Sequence, residues 1–183
     1  MPVNAAGTSP GVTLVLGGAR SGKSRFAESL APVGTVRRVY VATAEPVDDE
    51  MASRIEVHRA RRGPAWRTVE APIGLAQAIG RESTPQTWLL VDCLTVWLGN
   101  LMHHGLDIDV ARDALLGSLA GAPGPVVLVA NEVGLGIVPD NAMARAFRDH
   151  AGRLNQTVAS MAGRVCFVAA GIPVTLKGAQ PPE

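Results

Sequence analysis

The sequence predicts an α/β protein built on an open, mostly parallel sheet with helices on both faces. Three observations carry that expectation. Five short apolar runs recur along the chain, rich in valine and nearly continuous in apolar character, as strands read when a parallel sheet is covered on both sides. Stretches with helical spacing alternate with those runs. A glycine-rich loop stands where the first strand candidate gives way to a helical pattern.

The strand candidates are VTLVLG (12–17), RRVYVAT (37–43), TWLLVDC (87–93), PVVLVAN (125–131) and RVCFVAA (164–170). Helical patterns cover 22–31, 48–62, 72–80, 94–119 and 140–161. In the last of these Met143, Phe147, Ala151, Leu154, Val158 and Met161 recur every three or four residues, with Pro139 and Asp140 suited to its start and Gly163 to its end. In an open α/β sheet ligands bind at the carboxyl ends of the strands, so polar residues at those ends are the site candidates.

Length and composition bound the function. With 183 residues the chain is expected to form a single nucleotide-binding domain over 1–183, with tails at 1–10 and 178–183. Apolar residues at 47% exclude a disordered chain, and a net charge of +1 gives no global attraction to nucleic acid or anionic membrane. Aromatics at 4% argue against a stacking platform for single strands. Cys93 and Cys166 each sit in an apolar run and read as buried thiols. No run approaches the roughly 18 apolar residues of a membrane span, and the first ten residues have no signal-peptide pattern. A soluble, cytoplasmic protein is expected.

The strongest motif is GGARSGKS, Gly17 to Ser24, which fits G-x-x-x-x-G-K-[ST] in the strand-to-helix context the motif requires. Glycines let the backbone wrap a phosphate closely, and the helix that follows adds the positive end of its dipole. Lys23 is expected on the β- and γ-phosphates, and Ser24 on Mg²⁺. Of only two lysines in the chain, one is here. A partner acid is needed. Asp92 ends the WLLVD run and could hold Mg²⁺ directly or through water; as an ordinary strand-end residue it would cap the next helix instead. Glu132, after VVLVAN, is a rival at the same edge.

DDEMASRIEVHRARRGPAW (48–66) poses a different problem. Met51, Ile55 and His58 share a face at helical spacing, and Arg59, Arg61 and Arg62 follow. A lone histidine there reads as a core residue. Acids first and bases last suit a helix dipole, yet three arginines in four residues exceed what capping needs and resemble an anion clamp. An imidazole with its ordinary pKa of about 6.5 is largely neutral at pH 7 and can attack phosphorus. The sharper reading is therefore a phosphohistidine-type intermediate, with the arginines balancing charge on a nucleotide.

GGARSGKS, VYVAT, DDEMASRIEVHRARR, WRTVE, NEVGLGIVP, ARAFRDHAGRLNQ and GIPVTLK occur in that order between about 12 and 177. Together they resemble the bifunctional adenosylcobinamide kinase / adenosylcobinamide-phosphate guanylyltransferase family of cobalamin biosynthesis. The resemblance implies a RecA-like P-loop NTPase fold, usually in a homo-oligomer. It implies two reactions: phosphorylation of adenosylcobinamide by ATP or GTP, then transfer of GMP from GTP through a guanylylated histidine to adenosylcobinamide phosphate, giving adenosylcobinamide-GDP and pyrophosphate. The guanylylated histidine falls on His58. The nucleotide contacts fall on Gly17, Gly18, Ala19, Arg20, Ser21, Gly22, Lys23 and Ser24, on Ala42, Thr43 and Ala44, on Arg59, Ala60, Arg61 and Arg62, and on Glu70 and Asp92. Partners are then GTP or ATP, the two corrinoids and Mg²⁺, with no nucleic acid. A helix that carries His58 has to approach the nucleotide, so 44–66 is expected to move when GTP binds, about Pro46 and Gly63-Pro64.

Other marked residues read more plainly. His103 and His104 suit a solvated helix end, His150 the surface, and Trp66, Trp88 and Trp97 the core. NEVGLGIVP reads either as a flexible loop or as part of the nucleotide or corrinoid pocket. Two other function classes stay open: a P-loop kinase for another small alcohol or nucleoside, and a switch-type nucleotide-binding module that acts through a protein partner. Neither gives His58 a covalent role.

Overall fold

A computed structural model describes residues 9–32, 34, 37–45 and 64–179. Seven strands form one sheet: β1 (Ser9–Gly17), β2 (Arg37–Ala42), β3 (Trp66–Glu70), β4 (Thr87–Asp92), β5 (Val126–Asn131), β6 (Ala162–Ala169) and β7 (Ile172–Lys177). Their order is β3-β2-β4-β5-β1-β6-β7, parallel throughout except for β7, which pairs antiparallel with β6. The described helices are α1 (Lys23–Ser29), α2 (Leu75–Glu82), α3 (Leu94–His103), α4 (Ile108–Ala120) and α5 (Ala142–Met161). The helix expected over 48–62 lies outside the described residues.

The central strands are buried on both faces, as their unbroken apolar runs require. One face carries Leu14, Leu89, Val91, Val126 and Leu128 under α2, α3, α4 and α5, with Trp97 and Leu154 in the same cluster. The other carries Val15, Tyr40, Trp88, Leu90, Val127 and Val129, against which Ala27 and Ala31 pack. Trp66 is half-buried at its margin, edge-on to Tyr40 at 6.4 Å and to Trp88 at 5.7 Å between centroids. Trp88 and Trp97 are core residues as expected.

Several boundaries differ from the sequence expectation, each for a local reason. The single helix expected over 94–119 is two. Gly105 at φ 64° ends the first turn sequence, and the Asp107 carboxylate accepts from the amides of Asp109 and Val110 to start α4. The start of α5 is capped by Asn141, whose side chain accepts from Ala144 N, rather than by Asp140. Its buried stripe begins at Phe147, because Met143 is 76% exposed. Nor does Gly163 end α5: the chain passes from Met161 straight into β6, and Lys177 Nζ donates to the carbonyls of Ala159 and Ser160 at the helix end. β3 is five residues long, and β7 returns from β6 through Ala170-Gly171. Both turn residues have positive φ, the geometry of a two-residue hairpin turn.

The amino-end edge of the sheet holds a charge cluster. Glu82, at the end of α2, is buried and takes hydrogen bonds from Arg37, Arg67 and Arg81. The Arg67 hydrogen bond holds its carboxyl below the ordinary range despite burial.

Candidate active site

Parallel registration gathers the polar strand ends at one edge. Ala42 stands level with Glu70 on one side and Asp92 on the other, while Gly17 stands level with Asn131. Residues far apart in sequence thus share one row where loops leave the sheet, the position at which α/β sheets bind ligands.

The loop between β1 and α1 is shaped by backbone constraints. A Cβ on Gly17 would sit 2.6 Å from both Ser21 Oγ and Val168 O, so no larger residue fits beneath the turn. Gly22 enters α1 at φ 94°, and Arg20 at φ 56° takes a left-handed conformation that non-glycine residues seldom adopt. Strain of this kind concentrates at ligand clamps. Neighbours hold the loop in place: Glu132 N donates to Gly17 O at 3.1 Å, and Gly171 N donates to Ser21 O at 2.8 Å. Lys23 is buried, and its Nζ donates to Gly18 O at 3.1 Å, which keeps the ammonium over the loop. The first amides of α1 have no carbonyl a turn earlier to bond, the usual state of a helix start; the first helical bond is Phe26 N to Gly22 O.

Asp92 is partly buried, and Tyr40 Oη donates to its Oδ2 at 3.1 Å. That bond orients the carboxylate, and among the described residues nothing hydrogen-bonds its other oxygen. Ser24 and Asp92 offer a hydroxyl and a carboxylate oxygen, a donor set that suits a hard cation such as Mg²⁺. Among the described residues no three His, Cys, Asp or Glu side chains gather as a metal cage. Glu132, the rival acid, is engaged locally: its Oε1 accepts from Gly134 N at 2.8 Å.

The chain after β2 is pinned to β4. The buried Thr43 hydroxyl accepts from Cys93 N and donates to Cys93 O, and Asn100 Nδ2 donates to Thr43 O and Pro72 O. Ala44 and Glu45 follow at the same edge, Glu45 Oε2 lying 3.5 Å from His104 Nε2. Desolvation pushes the Cys93 thiol up to about 12, with the Asp92 charge adding to it, and burial also raises Cys166. Both are inert thiols, as their apolar runs imply.

The nucleotide candidates Gly17 to Ser24, Ala42, Thr43, Ala44, Glu70 and Asp92 therefore come to one edge. His58, Arg59, Ala60, Arg61 and Arg62, together with Pro46 and Gly63, lie outside the described residues. Three contributors escaped the sequence reading. Tyr40 is the chain's only tyrosine, two residues before a strand end, and becomes meaningful only once β2 and β4 are registered. Asn131 closes an apolar run beside Gly17; its amide bonds Thr95 Oγ1, its carbonyl accepts from Asn155, and its Oδ1 is buried with no hydrogen-bond partner. Asn100 gives no local signal at all.

A parallel sheet whose first strand opens into this loop, with lysine, serine and a facing strand-end aspartate, defines a P-loop nucleotide-binding α/β protein. Residues 13–176 match the family described as cobinamide kinase / cobinamide phosphate guanyltransferase, and the chain belongs to that family. A bifunctional adenosylcobalamin biosynthesis protein of Pseudomonas aeruginosa is 48% identical over 167 residues, 90% of this chain and 96% of the relative. Proteins of the same description from Escherichia coli and Salmonella typhimurium are 43% and 41% identical, each over 90% of this chain and 98% of the relative. Among solved structures, the RadB recombinase crystal structure gives a TM-score of 0.48 at 15% identity, over 97% of this chain and 86% of that one, a likeness too loose to argue from.

Proposed function

We propose that this protein is a bifunctional transferase of cobalamin biosynthesis that phosphorylates adenosylcobinamide and then converts the phosphate to adenosylcobinamide-GDP. The observation that carries this reading is the family match over nearly the whole glycine-loop sheet, residues 13–176. In the first reaction the aminopropanol hydroxyl attacks the γ-phosphorus of ATP or GTP, the bond to the β-phosphate oxygen breaks, and the hydroxyl proton is released. Positioning and charge balance do most of the work in such transfers. The loop Gly17–Ser24 wraps the phosphates, and Lys23 neutralises charge on the β- and γ-oxygens. Ser24 and Asp92 would hold Mg²⁺, which supplies further positive charge at the phosphates when bound.

In the second reaction His58 attacks the α-phosphorus of GTP and pyrophosphate leaves. A phosphate oxygen of adenosylcobinamide phosphate then displaces the imidazole from the GMP phosphorus. The histidine splits one hard transfer into two easier ones. Arg59, Arg61 and Arg62 balance the nucleotide's charge during it, with the Ala60 backbone beside them. Ala42, Thr43, Ala44 and Glu70 line the nucleotide on the β2–β3 side. The reading is supported by where the 46–63 segment departs: Thr43, pinned to Cys93 and Asn100, delivers the chain to the edge that carries the glycine loop.

The acceptor is a large corrinoid. Leu135, Ile137 and Val138, exposed by 60% or more on the loop after β5, offer it an apolar surface beside the site. Exposed Ile172, Val174 and Leu176 on the edge strand β7 favour a homo-oligomer. We read the protein as cytoplasmic; no described helix is long and apolar enough to cross a membrane.

The test is a product analysis by mass spectrometry with adenosylcobinamide, Mg²⁺ and ATP or GTP. Adenosylcobinamide phosphate should form with either triphosphate that the loop accepts, and adenosylcobinamide-GDP only when GTP is present. Phosphorylation without any GDP product would leave a plain kinase.

A further inference from the structure

On the face of the sheet that carries α1, at the end opposite the glycine loop, lies a cavity of about 460 Å³. α1 is only seven residues long and does not reach that end of the sheet. Thr13, Trp88, Val127 and Arg164, from four strands, and Leu30, which caps α1, line the cavity. Thr13 and Arg164 stand level on the neighbouring strands β1 and β6, so hydroxyl and guanidinium share one wall.

Arg164 is out of keeping with its surroundings. Its Nε is buried without a hydrogen-bond partner, and no carboxylate among the described residues pairs with it. Arg37, Arg67 and Arg81, also at this end of the sheet, all converge on Glu82. A buried guanidinium N–H without an acceptor costs folding free energy that an aliphatic residue would avoid. Arg164 lines the cavity, and no hydrogen bond or ion pair among the described residues engages the rest of its guanidinium; such a planar donor is suited to accept an anion, which it grips through paired N–H groups.

We propose that this cavity is a second ligand site, separate from the nucleotide edge, and that it takes a small organic monoanion with an apolar body. One guanidinium balances one negative charge, which disfavours a triphosphate. The Thr13 hydroxyl supplies a neutral hydrogen bond, and Trp88, Leu30 and Val127 supply an apolar lining for an aromatic or branched body. The volume lies within the range of small-molecule sites. The site is independent of the reaction proposed above, because none of its residues belongs to the nucleotide edge.

The test titrates the full-length ¹⁵N-labelled protein with benzoate, using benzyl alcohol as a neutral control of the same shape. The readouts are the Arg164 Nε–Hε and Thr13 amide resonances. Saturable shifts in both are expected, with a Kd near the millimolar range or below and binding of benzyl alcohol at least about tenfold weaker. Arg164→Leu should abolish the Thr13 response while GTP still shifts the amides of Gly17–Ser24 normally, which proves the variant folded. Thr13→Val, with the guanidinium intact, should weaken benzoate several-fold and serves if the leucine variant does not fold. No saturable shift, equal binding of benzyl alcohol, or a benzoate response that survives either substitution unchanged would overturn the proposal.

Discussion

The two edges of the sheet handle charge in opposite ways. At the amino-end edge three arginines from β2, β3 and α2 close on Glu82, whose side chain is 5% exposed. The buried carboxylate is satisfied within the chain, while the arginines stay half in water. At the carboxyl-end edge, among the described residues, Lys23 is held by Gly18 O and Asp92 by Tyr40. The contrast separates what holds the fold from what serves a ligand. A buried carboxylate surrounded by arginines contributes to stability, whereas groups fixed in direction by a single neighbour are prepared for a partner.

The largest expected effect that tests this contrast is at Lys23. Lys23→Ala should lower the rate of corrinoid phosphorylation by about 10²–10³ or more, the scale for losing one preorganised charge at a transferring phosphate. Steady-state kinase assays check it. An activity within threefold of wild type would erase the distinction between the edges. Asp92→Asn comes next, at about a hundredfold with a raised Mg²⁺ requirement, since charge supplied by a metal is worth several kcal/mol. A Mg²⁺ titration of the rate reads both.

Glu82→Gln should do the converse. Kinetic constants stay near wild type, while stability falls by about 1–3 kcal/mol, because the arginines lose a buried acceptor charge but remain half in water. Urea unfolding measures this. The pH dependence has a defined sign. The folded carboxyl of Glu82 lies below its unfolded value of about 4.3. Its contribution is therefore fully present above that pH and is lost as pH falls through the lower folded value. Between those two values the wild type should lose stability more steeply than the variant. The smallest effect is at Tyr40→Phe, about tenfold in rate, because the hydroxyl orients Asp92 rather than touching the phosphates. Phosphorylation rates compared with those of Asp92→Asn and of the double variant test it: if the tyrosine acts through the aspartate, the double variant is no slower than Asp92→Asn.

Legibility in the sequence followed the range of the interactions. The glycine loop is local: eight consecutive residues hold its glycines, lysine and serine, so motif and structure coincide. The apolar runs of β1, β2, β4, β5 and β6 were equally plain, because full burial leaves little room for polar residues. β7 was hidden because its side chains are largely exposed and Pro173 argues against a strand, although Ala170-Gly171 between two runs is a hairpin signal. The break at Gly105-Leu106-Asp107 carries a local signal, a glycine stop followed by an aspartate start, which the longer helical period across 94–119 masks. The Tyr40–Asp92 bond, the Thr43–Cys93–Asn100 pins and the Glu82 cluster depend on which strands become neighbours, and no local pattern encodes that. The resemblance singled out Ala42 and, with the strand-like end of WRTVE, Glu70; the register puts both level with Asp92.

In the proposed mechanism one sheet edge serves two chemistries, and a histidine on the chain leaving β2 carries the second. The most direct measurement is the intact mass of the protein after incubation with Mg²⁺ and GTP, without corrinoid, beside His58→Ala. A gain of one GMP is expected, absent from the variant and discharged by adenosylcobinamide phosphate, while the variant still phosphorylates adenosylcobinamide. An adduct that persists in His58→Ala, or GDP-product formation by that variant at the wild-type rate, would contradict it.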